Sequence, residues 1–580
     1  MSSKNKSTQQ NMWDLLIPLM LTIVVLPLAV RLASYSCGFS GYEWYSSDDV
    51  LTDFYCYYKS YLLDIIGIFA GIILVFRLVL YREKTRNMRI FIPLAVYCLF
   101  AVVSTILSVN TDASLKGNFE SFESVIVLII YAVLALYAYQ IMESERDYKY
   151  IWYSVLVITG IFTVIGTFQI FGHDLLNYEW AQHLIMTKDQ FATYAGQIED
   201  VFTGNNVYLT LYNPNYAGIT LCMLFAVIWT MALSETEKKP RIIYVAAAAI
   251  TLVLIWFTYS RASLLATALV IVLSIFFFFK ELKKKQIWIG FSALAALLAI
   301  LICVDASLDF KYLSRMIDRN MREPLTSMTS DENGIHICYN DVNYDLYIEN
   351  DTLLCMSDSE ETPLTTTEGV ELALPMEQGS SAVFYEEEIY LQIAENLLTF
   401  VKEDNLYCYE TPSGMLAPMT DVNSVDFHGL EYLGSARGYI WSRTLPLLGE
   451  YFFIGSGPDT FAEVFPQEDY AGKIVYSDRP DMVIEKAHND YLTKWVQTGG
   501  ISAICLIIFY ILFLLQGRKL FTEKEYTMQY RLGCGCYIAC ISYMFTSLFN
   551  DSTLQTAPLF WVLCGVALSS IYAKNNGLSS

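Results

Sequence analysis

Four short stretches of this 580-residue chain hold residues able to handle a phosphate or a proton. Arg261 stands in WFTYSRASLLATALV, where two apolar runs meet with almost no room for a loop. A guanidinium at such a break presents fixed donors to phosphate oxygens; equally, a lone arginine there can snorkel to lipid headgroups. Arg437 and Trp441 are four residues apart in SARGYIWSRTLPLLGE and share one face of a helix. The turn Gly455-Ser456-Gly457-Pro458 follows, and the plainer reading of this stretch is an amphipathic helix anchored at a bilayer surface. His488, in EKAHNDYLTKWVQTGG, lies just before an apolar run. A helix start disfavours imidazolium and biases the ring toward the neutral form that a general base needs. The competing reading is an interfacial histidine beside a cap supplied by Asn489 or Asp490. In YNPNYAG at 212–218, Asn213-Pro214 makes a turn, Asn215 is placed to cap a helix, and Gly218 permits close helix approach. That role is structural first, with support of a site second. His173, His183, His336 and His428 have no partners at ligand spacing, so a metal site is not expected.

These residues must be positioned by membrane helices. The chain is 54% hydrophobic and only 17% charged, where a soluble protein carries roughly 25%. Spanning helices are expected near 13–33, 61–81, 90–109, 125–142, 151–171, 216–233, 242–259, 262–279, 287–304, 491–515, 532–548 and 556–572. The first follows Lys4 and Lys6 and lacks a small-residue cleavage site, which marks a retained span. With the N-terminus cytoplasmic, one side collects Arg82, Lys84, Arg86 and Arg89, then Arg146 and Lys149, Lys238, Lys239 and Arg241. The same side takes Lys280 and Lys283–Lys285, Arg518, Lys519, Lys524 and Arg531, and finally Lys574. The expectation is therefore an all-α polytopic protein with about twelve transmembrane helices, both termini cytoplasmic. The net charge of −22 is unevenly spread and belongs to the loops, and no basic face suggests nucleic acid. Eight of the thirteen cysteines lie in or beside apolar segments; Cys37, Cys56, Cys338, Cys355 and Cys408 are external, and Cys37 with Cys56 could close one short loop.

Spans one to nine occupy 1–304 and the last three 491–580, leaving 305–490 as one large extracytoplasmic segment. Residues 309–323 carry helical spacing and predict a short surface helix. Residues about 333–412 switch to alternating β-rich runs with Asn/Asp turns, a small β insert whose strands read as self-contained. Its acidic surface is most simply a soluble face. Residues 430–490 return to mixed helix and loop.

In their order and flanking spans, NPNYAG, TYSRASLLA, the Arg437/Trp441 helix, GSGPDTF at 455–461 and HNDYLTKWVQTGG resemble the O-antigen ligase family, which includes surface polysaccharide polymerases and O-linking oligosaccharyltransferases. The match covers roughly 210–280 and 430–510, and the β insert departs from the family pattern. The resemblance implies a C-type glycosyltransferase-like architecture in the bacterial cytoplasmic (inner) membrane. It implies transfer of a glycan from a polyprenyl-diphosphate carrier to an acceptor hydroxyl at the outer face, inverting and metal-independent, with no cofactor. The acceptor would be a glycan, a lipid, a wall polymer or a protein. Carried over, Arg261 and Arg437 would bind the diphosphate and His488 would serve the acceptor hydroxyl. Asn489 and Asp490 would orient the imidazole, with Trp441, Asn213 and Asn215 in support. The rival class is a transporter or flippase of lipid-linked sugars, which commonly shows inverted repeats and binding groups near the midplane; Asp64 and Arg77 are the few charges within spans.

Overall fold

The computed structural model describes residues 13–80, 85–118, 121–194, 206–278, 325–358, 362–376, 379–393, 396–427, 430–477, 479–521 and 527–576, with isolated positions 299, 302, 303 and 306. The expected span at 287–304, the surface helix at 309–323 and His428 fall almost entirely outside them.

The protein is mostly helical and multi-pass. Among the described residues, eight helices are long and apolar enough to cross a membrane. They are α2 (Tyr57–Val79), α3 (Arg89–Ile106), α5 (Glu145–Ile170), α6 (Pro214–Ser234), α7 (Lys238–Trp256), α8 (Arg261–Phe278), α12 (Gly500–Phe521) and α14 (Ala557–Asn575). Two shorter apolar helices, α1 (Asp14–Leu28) and α4 (Val125–Ile141), occupy expected span positions. The expectation of a helix over 13–33 is corrected: α1 stops at Leu28, because Ala33–Ser36 pairs instead as a ribbon with Val50–Asp53.

Another expected span position holds α13 (Met528–Thr546), whose sequence GCGCYIAC is less apolar than its neighbours. It packs against α6, α8 and α14, so protein rather than lipid covers most of it. Close packing explains its glycines: a Cβ at Gly535 would press on the α6 backbone at Val227, and one at Gly533 on Ser570 of α14. Helices α6, α13 and α14 form the enclosed centre of a single apolar core.

A second correction concerns the span expected at 491–515. Gly499 adopts φ 95°, a conformation that glycine alone reaches cheaply, and breaks the chain in two. Residues Asp490–Thr498 form a separate helix, α11, and α12 starts at Gly500. The GSGP turn explains the break. Ser456 and Gly457 donate their N–H groups to the carbonyls of Val496 and Gln497, at 2.9 and 3.0 Å. These are carbonyls that the end of α11 would otherwise leave bare.

The β insert covers 325–417 rather than 333–412. It holds a five-stranded antiparallel meander over 325–367 and a six-stranded one over 372–417. Two-residue turns with both residues at positive φ, such as Asn340-Asp341 and Asn350-Asp351, match the right-handed twist of the hairpins they close. The insert carries nineteen Asp and Glu residues against one Lys, so most of the −22 charge resides there and not in the bundle. It is not self-contained. Its core includes Phe39, Trp44 and Tyr45 from the loop before α2, together with Tyr470 and Ile474 of α10 (Tyr470–Ser477). Cys37 and Cys56 are not joined to each other; each thiol has its own partner, the Tyr45 hydroxyl and the Gln555 amide respectively.

Candidate functional site

The starts of α4, α6, α8, α11 and α14 converge at one end of the bundle. Ser124 caps α4, Asn213 caps α6 and Asn489 caps α11, each by accepting a backbone N–H. Helix starts carry partial positive charge and unpaired N–H groups, so their convergence favours an anion in front of them.

His488 sits just before the cap of α11 at φ 50°, a strained setting for a residue with a side chain. Its Nδ1 lies 2.9 Å from Oδ2 of Asp551, in the loop joining α13 to α14. Asp551 is buried and its Oδ1 accepts from the Thr493 hydroxyl at 2.9 Å. Burial pushes the Asp551 carboxyl up, but the His488 hydrogen bond and charge, with Lys486 and Thr493, hold it below the usual carboxylate range. An ionised carboxylate can only accept. The proton of a neutral imidazole therefore sits on Nδ1, and Nε2 keeps a free lone pair. The ring is 41% exposed, so that lone pair is within reach of an incoming group.

Trp441, on α9 (Leu433–Glu450), donates its indole N–H to the Ala487 carbonyl at 2.8 Å. One turn earlier on the same helix, Arg437 donates through Nη1 to the Gly434 carbonyl at 2.6 Å and through Nη2 to Asn550 Oδ1 at 3.5 Å. Its Nε is buried and has no hydrogen-bond partner among the described residues. Burial pushes the Arg437 guanidinium down from its ordinary range, with Asp551 and Tyr216 opposing and Arg261 adding to the shift. Arg437 is thus within electrostatic reach of Arg261, Asp551 and Tyr216. Arg261 is exposed at the first position of α8. Its setting depends on Gly218 of α6, where a Cβ would lie 2.4 Å from Ser263 Oγ and 3.0 Å from Thr258 Oγ1.

The supporting residues divide differently from expectation. Asn213, not Asn215, caps α6, with its side chain accepting from the Asn215 N–H at 2.8 Å. Asn489 spends its carbonyl on the N–H groups of Tyr491 and Leu492, and Asp490 is buried with Oδ1 on the Ser552 N–H at 3.3 Å. Neither orients the imidazole in these contacts; Asp551 does. His183 stacks on Phe191 and His336 lies between Asp331 and Asp345, each away from His488 and Asp551.

Beneath the dyad lies a buried ionic network that sequence reasoning missed. Lys494 pairs with Glu123 at 3.0 Å, and Glu123 also accepts from Tyr131 and Ser552, at 2.8 and 2.7 Å. Glu123 is pushed up by burial, but Lys494, Lys486 and these hydrogen bonds hold it below its ordinary range. The signal for Asp551 is a second Asn-Asp pair, in LFNDSTLQT between the last two apolar runs, matching the one in AHND. Glu123 and Lys494 are charges placed at the edges of apolar runs, where an unpaired ion is costly.

The fold and site together define a multi-pass, mostly helical membrane protein with a β-rich insert and an imidazole–carboxylate dyad beside two arginines. Comparison with family models, with curated proteins and with solved structures finds no match for the chain.

Proposed function

We propose that the protein is a membrane glycosyltransferase, of the kind its motifs resemble, that moves a glycan from a polyprenyl-diphosphate carrier to an acceptor hydroxyl. The reading places about twelve spans in a bacterial cytoplasmic membrane, with the β insert and the site at the outer face. The observation that carries it is the His488–Asp551 dyad beside Arg437 and Arg261.

Nε2 of His488 takes the proton as the acceptor oxygen bonds to the anomeric carbon. The bond from that carbon to the diphosphate oxygen breaks, and its electron pair leaves on the phosphate. The developing charge falls to Arg261, Arg437 and the converging helix starts, which are in place before it forms. A single in-line displacement inverts the anomeric centre. Positioned proton transfer of this kind contributes typically ~10²–10⁴-fold. A transporter would need none of this proton chemistry, and a buried carboxylate fixing one tautomer of an exposed imidazole favours the enzyme.

The test uses purified protein in nanodiscs with a polyprenyl-diphosphate glycan donor and a hydroxyl acceptor. Transfer with release of polyprenyl diphosphate is expected from wild type and not from His488→Ala, which should still bind donor. Wild-type transfer rates in His488→Ala would remove the base assignment. Carrier-linked glycan moved across vesicles without any bond cleavage would point to the transporter class. The glycans of a deletion strain identify the acceptor, since loss of a polymerase shortens chains whereas loss of a ligase leaves them on the carrier.

A further inference from the structure

Ser552, the residue after Asp551, is gripped at three atoms by three buried charged side chains. Its N–H donates to Asp490 Oδ1 at 3.3 Å, its hydroxyl donates to Glu123 Oε1 at 2.7 Å, and its carbonyl accepts from Lys486 Nζ at 3.4 Å. Lys486 is 3% exposed, an ammonium withdrawn from water two residues before His488. A buried cation is costly unless anions surround it. Those facing it are Glu123 before α4, Asp551 between α13 and α14, Asp459 after the GSGP turn and Glu485 on its own segment, with the Tyr216 phenol of α6. Among the described residues its Nζ makes one hydrogen bond, the long one to Ser552, so most of its role is charge.

We propose that Lys486 is a positioning residue for the dyad: its buried charge keeps Asp551 ionised, and its contact with Ser552 holds the Asp551 loop against His488. This deepens the glycosyl-transfer reading and rests on it for its purpose, though not for its test. Burial acts to lower Lys486, yet Glu123, Glu485 and Asp551 around it oppose burial, and the net shift is upward, which keeps it cationic in the physiological range. Removing a positive charge beside Asp551 makes the dyad bind its proton more tightly. The proton then stays on to higher pH, and Nε2 becomes available later.

The reporter is reactivity of His488 toward diethyl pyrocarbonate as a function of pH, read by mass spectrometry on full-length protein in nanodiscs. It does not depend on turnover. Lys486→Gln keeps a donor for the Ser552 carbonyl and removes the charge. The midpoint of reactivity should move up by roughly one pH unit, as expected for the loss of one nearby unit charge at an intermediate effective dielectric. Lys486→Arg should stay near wild type. In the transfer assay the acidic limb of turnover should move with the reactivity midpoint, while donor affinity holds. Lys486→Met is the second variant and should shift the midpoint the same way. A charge-free variant with the wild-type midpoint overturns the proposal. So does failure of both charge-free variants to assemble when Lys486→Arg assembles, since the charge then serves the fold rather than the dyad. If the midpoint shifts but wild type transfers no glycan, the positioning role stands and the glycosyl-transfer reading fails.

Discussion

The imidazole Nδ1 of His488 and the carboxylate Oδ2 of Asp551 meet at 2.9 Å across 63 residues of sequence. They come from the start of α11 and from the loop between α13 and α14, and the enclosure of α13 and α14 fixes where that loop lies. Asp551→Asn should therefore be severe. The amide can present an N–H to Nδ1, which turns the ring to the tautomer with its lone pair misplaced. Turnover should fall about 10²–10⁴-fold, with donor affinity within a few fold of wild type. An activity within threefold of wild type would show that Asp551 does not set the tautomer.

Arg261→Ala and Arg437→Ala should weaken donor binding as well as turnover, because the proposed function gives each guanidinium the diphosphate to hold before any acceptor arrives. Lys at either position should restore only part, since an ammonium lacks the planar fork that matches phosphate oxygens. Arg437 should be the more sensitive of the two. Its Nε is buried with no partner among the described residues, whereas Arg261 is exposed. Titration of a fluorescent polyprenyl-diphosphate donor onto each variant measures this directly.

Much of the positioning was legible in the sequence because it rests on local rules. Apolar runs placed the eight long helices, and Asn/Asp pairs placed the hairpins of the insert. Arg261, Arg437, Trp441 and His488 were found as separate weak signals, and the structure brings them to one end of the bundle. The sequence points to Asn489 and Asp490 as the residues that orient His488, whereas its partner is Asp551. Asn489 and Asp490 are adjacent, but adjacency across a helix cap points a side chain at the cap and not at the preceding ring. The break at Gly499 was hidden because α11 and α12 join without a polar gap; it depends on the GSGP turn, some forty residues earlier in the chain. The shared core of the insert was hidden for the same reason. Trp44 and Tyr470 look like interface aromatics until the insert lies beside them.

Buried carboxyls give the fold a pH dependence with a definite sign. Burial pushes Asp490 up to about 7 and Asp459 up to about 6, against ordinary values of about 3.9. A raised carboxyl holds its proton more tightly folded than unfolded, so stability falls as pH rises through that window. His336 acts the same way above its ordinary value: burial pushes it down, but Asp331 and Asp345 outweigh burial and raise it. Glu123 and Asp551 are lowered, so their contribution is complete at the lower edge of the window. The melting temperature in detergent should therefore drop between about pH 5 and pH 7, and Asp490→Asn should flatten the drop. A melting temperature that rises across this range would show that other groups dominate.

The approach of α6 to the start of α8 gives a variant that touches no ligand. Gly218→Ala puts a methyl 2.4 Å from Ser263 Oγ and 2.8 Å from its Cβ, closer than atoms pack, so the first turn of α8 must move. Arg261 moves with it. Donor binding should weaken, and Ser263→Gly in the same chain should recover part of it by removing both opposed atoms. A double variant no better than the single one would place the damage elsewhere in α6.

Trp441 offers the finest test, because one proton donor can be removed while the ring stays. Its indole N–H holds the Ala487 carbonyl at 2.8 Å, and the Ala487 N–H is held by Thr493 Oγ1 at 3.1 Å. The two peptide groups flanking Ala487, the residue before His488, are thus each pinned by one hydrogen bond, which helps the backbone keep φ 50° at His488. Trp441→Phe leaves an aromatic ring on α9 but frees the carbonyl, a buried acceptor whose loss of its donor costs about 1–3 kcal/mol. His488 then relaxes toward an ordinary conformation, away from Asp551. Because Arg437 lies one turn away on the same helix, donor affinity should hold, and turnover should fall roughly 5–160-fold, the same energy expressed as a rate. Equal losses in affinity and turnover would mean that Trp441 anchors α9 as a whole and does not act through His488.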